Sequence, residues 1–271
     1  PAFFTIMEKN MTQEHNFTQG RILEPLMKFA LPVMLAMFLQ ALYGAVDLMV
    51  VGQFSDAVNV SAVSTGSQIM MTLTIVITGL AMGLTVYVGE RIGAGKKEEA
   101  GEIIGTGISL FGVISLIVSV VMVFASSALA KLMRAPAEAF DNTVWYVAIC
   151  SAGTLFIVAY NLVGSIFRGI GDSKIPLLTV TIACVLNILG DLLLVAVFHM
   201  GAVGAAVATI FAQAMSVIIS MFIIRKRKMP FNFSRKYIRL NTTHIKSILK
   251  LGTPIALQDL LVSISFLVIL A

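Results

Sequence analysis

Apolar residues fill stretches of roughly 20 to 30 positions along the chain, with short polar segments between them. A helix needs about 20 apolar residues to cross a bilayer core of ~30 Å. Barrel strands would alternate apolar and polar positions with period two, and the runs here do not. Backbone groups in lipid find no water, so these runs must satisfy their hydrogen bonds internally, as helices. The pattern predicts six complete spans near 26–51, 58–88, 102–130, 142–167, 175–198 and 202–224. A seventh runs from about 248 to 271. The polar remainder is a segment over 1–25, several short turns and one long connection over 225–247.

Composition sharpens this to an all-α polytopic membrane protein. The 271 residues are 58% hydrophobic and 12% charged, with a mean hydropathy of +0.94. A soluble domain carries about 25% charged residues, because its surface must face water. Residues 1–25 lack the apolar core of a signal peptide, so the first span is expected to act as its own insertion signal. The chain opens on Pro1, which leaves Met7, Met11 or an upstream residue as the start.

The net charge of +5 raises nucleic acid as a partner, but the placement of the charge argues against it. Seventeen of the 19 Lys and Arg fall in alternate loops: the N-terminal segment, 89–101, 168–174 and 225–250. That asymmetry puts the N-terminus and the long connection in the cytoplasm. Arg225, Lys226, Arg227 and Lys228, followed by Arg235, Lys236 and Arg239, make the connection basic. It reads as a cytoplasmic linker between two lobes, or as a surface for anionic lipid headgroups. Cys150 and Cys184 lie far apart inside apolar runs, as reduced packing residues without a disulfide or metal framework.

An internal repeat sets the architecture. Laying 26–49 over 248–271, at an offset of 222, pairs Lys28 with Lys250, Pro32 with Pro254, Leu35 with Leu257 and Leu39 with Leu261. Val46 then meets Val268 and Leu48 meets Leu270. Six spans followed by a repeat of the first predict two pseudo-symmetric lobes and 12 spans. On that expectation residues 26–224 are lobe one, 225–247 the linker, and 248–271 the first helix of a truncated second lobe.

Two acids lie deep in the spans, Asp47 and Asp191. An ionisable residue there costs at least ~2.5 kcal/mol and marks a functional site by default. Tyr43 and Asp47 are four residues apart, as are Asn187 and Asp191, so each pair shares a helix face. Two carboxylates, an amide oxygen and a phenol suit a hard cation or a proton, and the carboxylates would titrate as a unit. The competing reading is two helix-end acids that cap backbone or face water. Pro32, fifteen residues before Asp47, removes one helical hydrogen bond and permits a kink, either inert or responsive to the acid site.

Two enzyme-like strings fail. Gly93-Ala94-Gly95-Lys96-Lys97 lacks the Gly and the Ser or Thr of a P-loop, with Glu90 and Lys97 in their places. Asp172 in Gly169-Ile170-Gly171-Asp172 sits between Arg168 and Lys174, as in a charged turn. His199, which the span pattern places beside the membrane, stands alone at an extracytoplasmic turn. No enzyme is expected.

The ordered motifs resemble the multidrug and toxic compound extrusion (MATE) family over residues 20–271. They are Pro32, Gln40, Tyr43 and Asp47 with Val51-Gly52; Gly89-Glu90-Arg91-Ile92-Gly93-Ala94-Gly95; Arg168-Gly169-Ile170-Gly171-Asp172-Ser173-Lys174-Ile175-Pro176; Asn187 and Asp191; and Gly201 to Thr209. The resemblance implies a 12-helix fold with alternating access, in a bacterial plasma membrane, driven by Na⁺ or H⁺ with no other cofactor. In prokaryotic DinF-like members the matching positions Asp47, Asn187, Asp191 and Thr209, with Tyr43 nearby, form a cation pocket, which would hold Na⁺ as its metal. Pro32 matches a helix-bending proline. In the repeat, Ile269 stands opposite Asp47, so coupling is expected in lobe one.

The function expected is a cation-coupled antiporter, monomeric at full length, exporting amphipathic and often cationic small molecules. Gln40, Met34, Met37 and Asp259 are candidate cavity residues, although methionine at this density also serves plain packing. The alternative is a flippase for a lipid-linked precursor, which would favour Lys or Arg deep in the spans.

Overall fold

The computed structural model describes residues 23–225, 229, 231 and 234–270. The expectations for 1–22 and for the basic residues 226–228 therefore fall outside the described residues. Among the described residues eight α-helices follow in order: α1 Leu23–Phe54, α2 Ala57–Gly93, α3 Lys97–Leu132, α4 Phe140–Ala152, α5 Thr154–Gly169, α6 Lys174–Asp191, α7 Gly201–Arg225 and α8 Thr242–Leu270. Five of them (α1, α2, α3, α6 with its extension, and α7) are long and apolar enough to cross a membrane. The pair α4 and α5 supplies a sixth span, bent by 54°. The chain is a multi-pass α-helical membrane protein.

The structure departs from the expected spans at three places. Span four breaks at Gly153, where the missing side chain admits Ile210 of α7; a Cβ there would stand 2.6 Å from its Cγ1 and Cγ2. Span five does not end as an α-helix: directly after Asp191 it widens into a π-helical turn, Leu192–Val197. The seventh helix starts at Thr242 rather than near 248, because Asn241 Oδ1 accepts the Thr243 N–H at 3.0 Å and caps it.

Helix α1 lies on α6, α6 on α7, and α7 on α4 and α5, while α2 packs against α4, α5 and α8. One core layer gathers Val51, Val63, Val147, Val195 and Ala205 at one end of the bundle. A second gathers Leu84, Val88, Ile103, Phe111 and Ile248 at the end where the basic loops lie. Small residues permit close approach, as they do in membrane helices generally. A Cβ on Gly79 would meet Ala256 N at 2.7 Å, and one on Gly83 would meet Gly252 N at 2.5 Å. The α2–α8 seam is thus backbone against backbone. The described part of the long connection is docked rather than free. Phe231 is buried in the second layer, and Tyr237 lies over Gly105, whose Cβ would stand 2.7 Å from that of Tyr237.

Asn59 organises the far end. Its Oδ1 accepts the Ala202 N–H at 2.8 Å and the Asn142 amide at 3.3 Å. One side chain thereby caps α7 and ties α2 to α4. Asp56 in turn accepts from the Asn59 backbone and side chain, both at 2.8 Å. Those bonds hold the exposed Asp56 carboxyl below the usual carboxylate range.

Candidate functional site

Asp47 reaches the interior because α1 lies against α6, and Asp191 meets it from α6. Asp47 is 6% exposed and Asp191 is fully buried. Each carboxylate is the other's close acidic neighbour. Yet Asp47 Oδ1 and both Asp191 oxygens lack a hydrogen-bond donor. Buried carboxylate oxygens without partners are uncommon in folded proteins and call for an explanation.

The remaining lining is also oxygen-rich. Asn187, 1% exposed, donates its amide to Thr209 Oγ1 of α7 at 3.4 Å. That bond turns Asn187 Oδ1 the other way, where it has no partner. Tyr43 stands one turn before Asp47, with Gln213, one turn beyond Thr209, near it. Gln213 Oε1 is itself buried and unpartnered. Tyr146 and Cys150 of α4 lie within electrostatic range of Asp47, and Gly66 of α2 leaves room for the Tyr146 ring.

The structure therefore brings together Tyr43, Asp47, Asn187, Asp191 and Thr209. Sequence reasoning missed Gln213 and Tyr146. The one signal for Gln213 is its spacing, four residues after Thr209 on the same helix face. The donors are oxygens only, several of them acceptors with nothing to accept from. That set fits a hard cation such as Na⁺, or a proton shared by the carboxylates.

The other expected residues lie elsewhere. Pro32 is inside α1, eleven residues before Tyr43. Met34 and Met37 are 65% and 66% exposed on α1, and Gln40 is half-buried. Asp259 is on α8, which packs on α2 and α3 rather than on the acid pair. Asp172 accepts from the Lys174 and Ile175 N–H groups at 2.9 and 3.3 Å, so it caps α6. The membrane-proximal histidine of consequence is His244. It is buried, its Nδ1 is 3.2 Å from Tyr87 Oη, and its Nε2 is 3.7 Å from Glu102.

Comparison with known proteins agrees with this arrangement. The MatE family model matches residues 32–193. The Bacillus subtilis "Probable multidrug resistance protein YpnP" is 30% identical over 250 residues, covering 92% of this chain and 56% of that protein. The "Multidrug export protein MepA" of Staphylococcus saprophyticus is 24% identical, covering 95% of this chain and 57% of its own length. The chain thus spans little more than half the length of these relatives. Among solved structures, a MOP superfamily transporter from Pyrococcus furiosus superposes with a TM-score of 0.87 at 25% identity. It covers 95% of this chain and 57% of its own. A structure described as MATE in the straight conformation gives 0.85 at the same identity and coverage. By motif order, by fold and by these matches, the chain belongs to the MatE family of multidrug and toxic compound extrusion transporters.

Proposed function

We propose that the full-length protein is a cation-coupled antiporter that exports amphipathic, often cationic, small molecules by alternating access. The reading rests on one observation above the others: two buried carboxylates, Asp47 and Asp191, face each other with unpartnered oxygens. Asp47, Asn187, Asp191 and Thr209 hold the coupling ion, Na⁺ or H⁺, with Tyr43 closing the pocket. A second lobe completes the transport cavity, and the basic end of the bundle faces the cytoplasm of a bacterial cell. Names of relatives such as "Multidrug export protein" support the drug substrate. Pro32 lets α1 bend as the acid pair fills and empties, which links ion occupancy to cavity shape.

The test is efflux of a fluorescent cation from proteoliposomes under an imposed Na⁺ or H⁺ gradient. Ion-driven efflux is expected from the wild type and is lost in Asp47→Asn and in Asp191→Asn. Full activity in Asp47→Asn would sink the assignment.

A further inference from the structure

The α2–α8 seam is built on a four-residue rhythm. His244, Ile248, Gly252 and Ala256 recur every four residues along α8, so they share one helix face. They lie against Tyr87, Gly83 and Gly79, which recur at the same interval in the opposite direction along α2. The glycine rungs are backbone on backbone and carry no charge. The end rung is polar: His244 Nδ1 is 3.2 Å from Tyr87 Oη, and its Nε2 is 3.7 Å from Oε2 of Glu102 on α3. One buried imidazole thereby joins α8 to two other helices.

The other charges near this rung are matched or face water. Arg91 of α2 stacks over the Tyr87 ring, its Cζ 5.2 Å from the centroid, and pairs with Glu99 at 3.3 Å and Glu90 at 3.9 Å. Lys96 reaches Glu99 at 3.5 Å. Lys97 and Glu98 of α3, and Lys246 and Lys250 of α8 itself, are exposed. The Glu102 side chain is 36% exposed, which gives protons a way from water to the ring. Histidine is the side chain that changes charge between about pH 5 and 8. A charged ring donates from both nitrogens, toward Tyr87 Oη and the Glu102 carboxylate, and makes an ion pair with the latter. A neutral ring keeps both neighbours without the ion pair. The like charge of Arg91 is offset by its own two carboxylates.

We propose that His244 is a proton-binding site that latches α8 onto α2 and α3 at the cytoplasmic end, fastened by acid and released by alkali. This rests on the reading of two lobes that exchange access, with α8 as the first helix of the second. The glycine rungs hold by close packing alone, so the polar rung at their end sets how readily the seam parts. The sign follows from linkage. A closed seam presents Glu102 to the charged ring and an open seam withdraws it, so closure takes up a proton and is favoured as pH falls. States open to the cytoplasm therefore become rarer as the cytoplasm acidifies, and turnover slows.

The experiment uses the full-length transporter in nanodiscs, with spin labels on Lys97→Cys of α3 and Lys246→Cys of α8, both exposed positions. Double electron–electron resonance gives the fraction of molecules with these helices apart, from about pH 6 to about pH 8. That fraction is expected to rise about two- to fivefold with pH, the range a partly exposed ion pair supports. In His244→Gln and in Glu102→Gln it should not vary with pH. Glu102→Gln, at a partly exposed position, decides the matter should His244→Gln fail to fold. A fraction that ignores pH without either substitution overturns the proposal, and so does a pH response that persists in either variant. The response should survive Asp47→Asn; its loss there assigns it to the acid pair and overturns the latch. If the seam responds as expected but no ion drives efflux at any pH, the antiporter reading fails while the proton site stands. If efflux is ion-driven and the seam ignores pH, the proton site alone fails.

Discussion

Replacing Gly83 with alanine puts one methyl group into the α2–α8 seam. That Cβ would stand 2.5 Å from Gly252 N and 2.8 Å from Gly252 Cα. Carbon contacts are comfortable near 3.5–4.0 Å, so the helices must part by about 1 Å. The obstructing atoms are backbone, and no rotamer change relieves them. Overpacking of this kind costs about 1–3 kcal/mol, while alanine in place of glycine returns about 1 kcal/mol of helix propensity. The net destabilisation is up to about 2 kcal/mol, or a Tm lower by up to about 8 °C for a chain of this size. Gly112 of α3 is the internal control, because a Cβ there meets nothing within 4 Å. Gly112→Ala should therefore stabilise by up to about 1 kcal/mol. A thiol-reactive fluorogenic maleimide reads both unfolding curves, since Cys150 and Cys184 are buried and free. If Gly83→Ala raises Tm as Gly112→Ala does, the close seam is not a feature of the molecule.

Asn59→Ala removes the cap of α7 and the tie to α4, and should cost about 1–2 kcal/mol in the same assay; an unchanged Tm contradicts the hub. Asp56 has its carboxyl held low by Asn59, so its stabilisation is present above about pH 4 and fades as pH falls through its lowered folded value. The Tm gap between wild type and Asp56→Ala should accordingly be open at neutral pH and closed in strong acid. His244→Ala breaks the contacts to Tyr87 and Glu102, and hydrogen exchange should accelerate over the first turns of α8 while α6 and α7 keep wild-type protection.

The helices are legible in the sequence because lipid imposes a simple demand, an apolar run long enough to span. The break at Gly153 and the π-helical turn after Asp191 are not. A single glycine in an apolar run carries no sign that Ile210 will fill its place, and nothing local marks a widened turn. Asp47 and Asp191 stand out because an acid in such a run is costly. Asn187 is neutral and is marked by its four-residue spacing from Asp191, while only a match to a family pattern singles out Thr209. Gln213 and Tyr146 escape notice because their roles exist only once α1, α4 and α7 are packed. His244 lies in a polar stretch where a histidine attracts no attention, and its burial follows from the early start of α8.

The most direct measurement is ion binding to the purified protein, by radioactive Na⁺ retention and by proton uptake on addition of the protein to unbuffered solution. Asp47→Asn and Asp191→Asn, separately and together, are compared with the wild type at matched folding. Saturable binding of one of the two ions is expected in the wild type, and its loss in each variant. Undiminished binding in the double variant would contradict the account, because it would place the coupling ion somewhere other than between Asp47 and Asp191.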